Sequence, residues 1–432
     1  MLPAQDAEAL ILNLVQPLDP QQDIEMLALQ MASDRVLATS VSGTQDFPYW
    51  DNSAMDGYAV RYEDVQACRV DHPVTLEIVE EIPAGYQPQK TIYTGQAARI
   101  FTGSMMPVGA DTIVIQEETR READRVTILA APKPQAFVRR RAEFYQAGMP
   151  LLPAGITLSA PEIAVLATAQ CITVPVYRRP RVAILATGSE LISPDQPLQP
   201  GQIIDSNQYA LASLVASTGA EPIALGIIPD EPEKLQATIA HALSIADIVL
   251  SSGGVSVGDY DYVDRILADL GGEIHIRSVA VKPGKPLTVA TFSTNREPET
   301  SPPIPPSFIL YFGLPGNPVS ALVSFWRFVQ PALRKLSGLS GGWTPTLVWG
   351  RSPQELRADG KRETYLWGQV HVVDGEYEFR LAGGSQNSGN LINLAQTNGL
   401  AVMPIGQTVI SAGDRVQIMQ VGAVYSNFQM GS

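Results

Sequence analysis

The sequence predicts a multidomain α/β protein: a central doubly wound, mostly parallel sheet, flanked by mixed α+β N-terminal subdomains and a small C-terminal β-domain. Three observations predict it. At 432 residues the chain exceeds the roughly 250–300 residues that one hydrophobic core supports. From Arg181 onward, continuous apolar runs alternate with amphipathic stretches, the rhythm of strand, turn and helix in a parallel sheet covered on both faces. Before and after that block, Pro and Gly cut the chain into short alternating runs that suit half-buried strands.

Residues 1–177 form the N-terminal mixed region, read as two subdomains with one inserted in the other. Asp23 to Gln30 predicts a helix, Val74 to Val79 a strand, and Ala160 to Ala169 a short helix with Pro161 suited to its first turn. Arg178-Arg179-Pro180 reads as a linker. In the α/β domain, residues 178–338, strands are predicted at Arg181–Thr187, Pro222–Ile228, Asp247–Ser252 and Phe308–Phe312. Leu211, Leu214, Val215 and Thr218 mark one helix face, and Leu235, Ile239, Ala242, Leu243 and Ala246 mark another. Tyr262–Leu270 and Asn317–Leu336 complete the helices, with right-handed crossovers between parallel strands. The polar, Pro-rich stretch Thr294–Pro303 reads as a disordered insertion. Residues 339–432 close the chain as a β-domain, with strands at Tyr377–Leu381 and Arg415–Met419.

Composition narrows the function. Apolar residues at 45% and charged residues at 17% exclude global disorder. A net charge of −14 and a pI near 4.8 argue against nucleic acid or an anionic membrane as the main partner. Met1–Leu14 lacks the features of a secretory signal, and no run reaches the roughly 18–20 apolar residues of a membrane span, so a soluble, cytoplasmic protein is expected. Cys68 and Cys171 stand far apart without metal-ligand spacing, which fits a reducing compartment. His72, His241, His275 and His371 are isolated and read as structural or surface residues.

An acidic protein can still bind a small anion if cations and backbone N–H groups are concentrated in one cleft. The strand Asp247–Ser252 runs into Gly253-Gly254-Val255-Ser256-Val257-Gly258-Asp259 just before a helix, so its amides could converge on a phosphate. The plainer reading is a tight turn. Other strand ends raise the ligand reading: Thr187-Gly188-Ser189-Glu190 follows the first strand, Asp230 the second, and Leu314-Pro315-Gly316-Asn317-Pro318 the last. Ligands in open α/β sheets bind beyond the carboxyl ends of strands, although an N-cap Asn317 and a first-turn Pro318 would alone explain that last segment. Lys282-Pro283-Gly284-Lys285-Pro286 holds two ammonium groups on a stiff loop, which suits a compact oxyanion better than a solvated turn. Arg139-Arg140-Arg141 is either a solvated face or an anion clamp. Phosphate beside carboxylates implies magnesium, with Asp56, Glu190, Asp230, Asp259 and Asp261 as candidate ligands. Asp56 lies far upstream, so either the N-terminal region folds over the sheet or a second subunit supplies it.

These segments resemble a known family. Asn52-Ser53-Ala54-Met55-Asp56-Gly57-Tyr58-Ala59, Arg99-Ile100-Phe101-Thr102-Gly103, Thr187-Gly188-Ser189-Glu190-Leu191, Ser251 to Asp259, Lys282 to Pro286 and Gly313 to Ser320 are similar, in order, to the signatures of the molybdopterin molybdotransferases, the MoeA and gephyrin E-domain family. The resemblance implies a homodimer with the cleft between subunits. It also implies a magnesium-dependent reaction of adenylyl-molybdopterin with molybdate that releases AMP, and contacts with a molybdopterin adenylyltransferase and with molybdoenzyme maturation proteins. By motif position it implies catalytic roles for Asp56, Thr102, Glu190, Asp230 and Asp261. Substrate binding would fall to Gly253, Gly254, Ser256, Gly258, Lys282, Lys285, Pro315, Asn317, Pro318 and Arg139, with Arg362 and Ser388 contacting molybdate. One departure stands out: where the family commonly reads Arg-Arg-Arg-Gly-Glu-Asp, this chain has Arg139-Arg140-Arg141-Ala142-Glu143-Phe144. Glu143 substitutes, or the carboxylate is unnecessary, or catalysis is weakened. Two other functions compete with the transferase: the preceding adenylyltransferase step, and a scaffold paralogue for which Phe144 is the positive support.

Overall fold

In a computed structural model of the chain, residues 1–254, 260–293 and 308–426 are described, with the side chains of 260–262 and 426 excepted. The predicted Thr294–Pro303 insertion lies outside them.

The central sheet has six strands in the order Glu221–Ile228, Arg181–Thr187, Ile248–Ser252, Phe308–Leu314, Pro286–Ser293, Glu273–Ser278. The first four run parallel, Pro286–Ser293 runs against them, and Glu273–Ser278 pairs antiparallel with it and so runs with the first four. Strand periodicity explains why these runs are apolar throughout: successive side chains enter different cores. Val182, Ile184, Ile248, Leu250, Leu310 and Phe312 point to one face, while Ala183, Leu185, Val249 and Tyr311 point to the other. The second face is covered by Pro232–Ile245, through Leu235, Ile239 and Ala242, and by Tyr260–Asp269, through Val263, Ile266 and Leu267. The first face is covered by Asn207–Ser217, by the helical run from Pro318 to Leu336, and by Ala4–Leu14 from the start of the chain. The last two strands, Pro286–Ser293 and the edge strand Glu273–Ser278, are not among those the sequence predicts.

Two helix expectations need correction. Asp23–Gln30 is not a helix: Ile24–Ala28 is a strand paired antiparallel with Thr173–Tyr177, followed by a single 3-10 turn at Leu29–Met31. A partner strand about 150 residues away overrides the local helix preference. Asn317–Leu336 is not a uniform α-helix either, because Phe325–Val329 widens into a π-type turn between Pro318–Ser324 and Gln330–Leu336. Pro331 follows that turn, where wider pairing accommodates its missing N–H. The helix at Ala160–Thr168 forms as expected, with Ser159 and Glu162 in a reciprocal capping box.

The N-terminal region carries a six-stranded sheet ordered Thr112–Ile115, Gly57–Val60, Gln96–Ile100, Val74–Ile82, Arg125–Ile128, Thr119–Glu122. At the other end of the chain, Leu347–Arg351, Glu363–Val373, Glu376–Leu381, Gly399–Met403 and Arg415–Gln420 close into a small barrel. Closure comes from Glu363–Val373, which pairs with both Glu376–Leu381 and Gly399–Met403. Val281–Lys282 joins this barrel, pairing parallel with Glu363–Thr364. The lysine loop is thus central-domain by sequence and barrel by hydrogen bonding. Among the described residues, no helix is long and apolar enough to cross a membrane.

Candidate active site

The strand-end loops meet where the sheet topology reverses, between Arg181–Thr187 and Ile248–Ser252. Gly253 turns there with a φ of 96°, and a Cβ on it would lie 2.3 Å from the Thr187 carbonyl oxygen, so no side chain fits. Asn207, at the start of its helix, ties three of the loops together. Its Nδ2 donates to Ser252 Oγ at 2.6 Å and to the Gly316 carbonyl at 2.8 Å. On the neighbouring loops, the Ser189 N–H donates to Asp230 Oδ2 at 3.1 Å and the Asp230 N–H to Ser189 Oγ at 3.2 Å. Asp230 is thereby fixed beside the loop that carries Glu190.

The barrel supplies the remaining wall. Lys282 Nζ donates to Asp359 Oδ2 at 2.9 Å, and Arg362 Nη1 to the Val281 carbonyl at 3.2 Å. Asn317 Nδ2 donates to Ser388 Oγ at 3.2 Å, and the Val319 N–H to the Ser388 carbonyl at 3.2 Å. Gly284 rests on the helix that Asn317 begins, where an added Cβ would come 2.9 Å from Ser324 Oγ. The structure therefore gives two groups: Asn317 and Ser388 beside the Gly316 and Gly253 turns, and Lys282 with Arg362 on the loop whose Gly284 rests on the helix that Asn317 begins. Lys285 makes no ion pair among the described residues, whereas Lys282 is paired with Asp359. The Lys282 ammonium, then the Lys361 N–H, hold the Asp359 carboxyl below its ordinary range. Asp359 and Asn207 are the residues sequence reasoning missed. A lone loop acid carries no motif, and Asn207 looks like an ordinary helix start.

A second group lies in the N-terminal region. Asp56 Oδ1 accepts from the Thr102 N–H at 2.7 Å and from Thr102 Oγ1 at 2.8 Å, bonds that lower its pKa. Arg139 sits in a short strand pairing with Asn52–Ser53, close to this stretch. Arg140 and Arg141 are paired with Asp51 and Asp46, so the arginine triplet is largely an internal tie. Glu143 accepts from the Arg140 N–H at 2.8 Å, while Phe144 packs 5.9 Å from Phe47. Among the described residues, no hydrogen bond or ion pair joins the Asp56–Thr102 pair to the strand-end loops of the same chain. Nor do three or more His, Cys, Asp or Glu residues come together as a ready metal site. Ser256, Gly258 and Asp259 fall outside the described residues; Asp261 lies on the helix Tyr260–Asp269, its side chain not described. Pro315 and Pro318 flank Gly316 and Asn317, shaping the turn and the first helical position.

A cavity of about 490 Å³ lies at the opposite end of the sheet, lined by Arg35, Arg178, Arg179 and Arg334 among others. Two of those arginines are already paired, Arg35 with Glu25 and Arg178 with Asp23 and Asp247. None of the candidate site residues lines it.

Fold and site together define an α/β protein that can gather an anionic ligand at the carboxyl end of a doubly wound sheet, with a β-barrel completing one wall. Three family models match the chain. Residues 2–169 match the MoeA N-terminal region (domain I and II), residues 183–335 the probable molybdopterin binding domain, and residues 350–421 the MoeA C-terminal region (domain IV). The molybdopterin molybdenumtransferase of a Nostoc species is 62% identical over 416 residues, 96% of this chain and 93% of that protein. The Haemophilus influenzae protein of the same name is 33% identical over 396 residues, covering 91% of this chain and 93% of its own. The crystal structure of the molybdopterin biosynthesis MoeA protein from Pyrococcus horikoshii superposes with a TM-score of 0.81 at 27% identity, covering 98% of this chain and all of that one. The chain belongs to the MoeA family of molybdopterin molybdenumtransferases.

Proposed function

We propose that this protein catalyses the molybdate-transfer step of molybdenum cofactor biosynthesis. The dithiolene sulfurs of adenylyl-molybdopterin displace an oxygen of molybdate, which leaves with the two thiol protons as water, and water cleaves the adenylyl phosphoanhydride to release AMP and leave the pterin phosphate. The observation that carries this reading is the tie of Asn317 to Ser388 beside the Gly253 and Gly316 turns, with the Lys282 and Arg362 loop seated through Gly284 on the same helix. In this reading the turns offer backbone N–H groups to the phosphates, and the guanidinium, ammonium and hydroxyl groups receive the oxyanion. Because Asp359 already occupies Lys282, an incoming dianion must displace a single carboxylate, which favours a doubly charged ligand over a chloride-like one. Arg362 and Ser388 come from the barrel, a part that a stand-alone adenylyltransferase reading leaves without work.

Glu190 and Asp230 are the residues that would hold magnesium. Two carboxylates on loops tied through Ser189 fit this hard cation, which takes its remaining ligands from substrate phosphates and water. Bound there, it would neutralise charge on the phosphoanhydride. We also infer a cytoplasmic protein, and a homodimer, since among the described residues the Asp56–Thr102 pair has no link to the strand-end loops of its own chain and a second subunit could deliver it. Contacts with an adenylyltransferase and with molybdoenzyme maturation proteins would follow from the labile substrate and product.

Purified protein incubated with adenylyl-molybdopterin, magnesium and molybdate is expected to release AMP in proportion to molybdate. Absence of AMP at every molybdate concentration defeats the proposal.

A further inference from the structure

A buried ionic cluster joins three stretches of chain directly behind the oxyanion wall. Arg327 is only 9% exposed. Its guanidinium lies 2.6 Å from Glu8 Oε2, donates to the Tyr365 hydroxyl at 2.9 Å, and stands 3.9 Å from Glu363 Oε1. The Tyr365 hydroxyl in turn donates to Glu363. Glu8 Oε1 is buried without a hydrogen-bond partner among the described residues. Such a cluster is an expensive way to fill a core, because buried charges surrender hydration that their mutual attraction only partly returns, and apolar residues of similar volume would serve stability as well. Its position offers a better reason for it.

The cluster is one residue from the site. The Glu363 N–H donates to the Ala280 carbonyl at 2.9 Å, Val281 and Lys282 pair with Glu363 and Thr364, and Arg362 reaches the Val281 carbonyl. Arg327 sits in the widened turn of the helical run that Asn317 begins, and π-type turns are frequent at functional sites. That run therefore grips the barrel twice: at its start through Asn317 and Val319 on Ser388, and further along through Arg327 on Tyr365 and Glu363. The strand pairing of Val281–Lys282 and the apolar core shared by Tyr365 and Trp367 hold the barrel as well, and the second grip adds directional polar bonds at the strand that leads into Arg362.

We propose that Glu8, Arg327 and Tyr365 form a positioning network that sets where Arg362 and Lys282 stand toward the oxyanion. The proposal rests on the transfer reading above and goes beyond it by naming residues that touch no substrate.

The test compares wild type with Tyr365→Phe, which keeps the ring and removes the bridging hydroxyl, and with Arg327→Lys, which keeps the charge and loses the fork. Arg327→Met is the harsher variant, and the two gentle ones keep the experiment decisive if it does not fold. In AMP-release assays the KM for molybdate is expected to rise about tenfold in Tyr365→Phe, with kcat and the KM for adenylyl-molybdopterin within about twofold of wild type. Arg327→Lys should lie in between. An unchanged molybdate KM in both variants, or a parallel rise in both KM values, overturns the proposal. If wild type itself releases no AMP, the transfer reading has failed, and hydrogen exchange then judges the network alone. The Glu363 and Val279 amides should exchange about tenfold faster in Tyr365→Phe while those of Val370 and Ile418 stay as in wild type; equal acceleration everywhere, or none, counts against it.

Discussion

The two ends of the central sheet use charge in opposite ways. At the amino end, Arg178 is caught between Asp23 at 2.8 Å and Asp247 at 2.7 Å, and the Arg181 N–H donates to the same Asp247 carboxylate. Arg35, nearly buried, is held by Glu25 and the Tyr177 carbonyl. These charges form closed circuits within the chain. At the carboxyl end, among the described residues, Lys282 has a single exposed partner, Arg362 holds one carbonyl, and Asn207 Oδ1 is buried without a hydrogen-bond partner. The contrast teaches that a satisfied arginine beside a cavity marks architecture, whereas half-satisfied groups on converging loops mark a place prepared for a ligand.

Breaking the closed circuit should cost the most. Asp247→Ala leaves the Arg178 guanidinium without its bidentate partner and is expected to lower unfolding free energy by about 3–5 kcal/mol, measured by urea denaturation. Burial alone would raise the Asp247 pKa, but hydrogen bonds from Arg178 and the Arg181 N–H outweigh it and hold the pKa below its ordinary 3.8. A depressed native pKa means stability that is fully present above the unfolded value and fades as pH falls through the native one. The gap between wild type and Asp247→Asn should therefore stay constant down to about pH 4.5 and narrow below 3.8.

Next in size is Lys282→Ala. It should raise the KM for molybdate by about 10- to 150-fold, the effect of losing a hydrogen bond to a charged group worth about 1.5–3 kcal/mol. Urea unfolding should change little, since the Lys282–Asp359 pair is exposed. A large stability loss with intact turnover would place Lys282 with the amino-end circuits instead.

Asp359→Asn is the smallest and the most discriminating. An exposed pair contributes about 0.2–1 kcal/mol, so freeing Lys282 should lower the KM for molybdate by about 1.4- to 5-fold. A KM that rises would mean that Asp359 aims the lysine and does not compete for it.

Much of this contrast was legible in the sequence, for physical reasons. Strands buried on both faces write themselves as unbroken apolar runs, so Arg181–Thr187, Ile248–Ser252 and Phe308–Leu314 stood out, together with the Gly- and Pro-rich turns at their ends. Ile24–Ala28 was misread because its conformation is decided by Thr173–Tyr177, a partner no local window contains. Glu273–Ser278 and Pro286–Ser293 escaped because edge and antiparallel strands carry polar residues amid the apolar ones. Within the site, lysines and glycines announce themselves by spacing. Asp359, Asn207 and Arg327 do not, since each matters only through whatever the folded chain sets beside it.

The pairing of Val281–Lys282 with Glu363–Thr364 has a practical consequence for anyone dissecting the chain. A fragment ending near residue 338 would keep the sheet and its glycine turns yet deprive the lysine loop of the strand it leans on, so trimming the barrel would damage a neighbour as well as remove a piece.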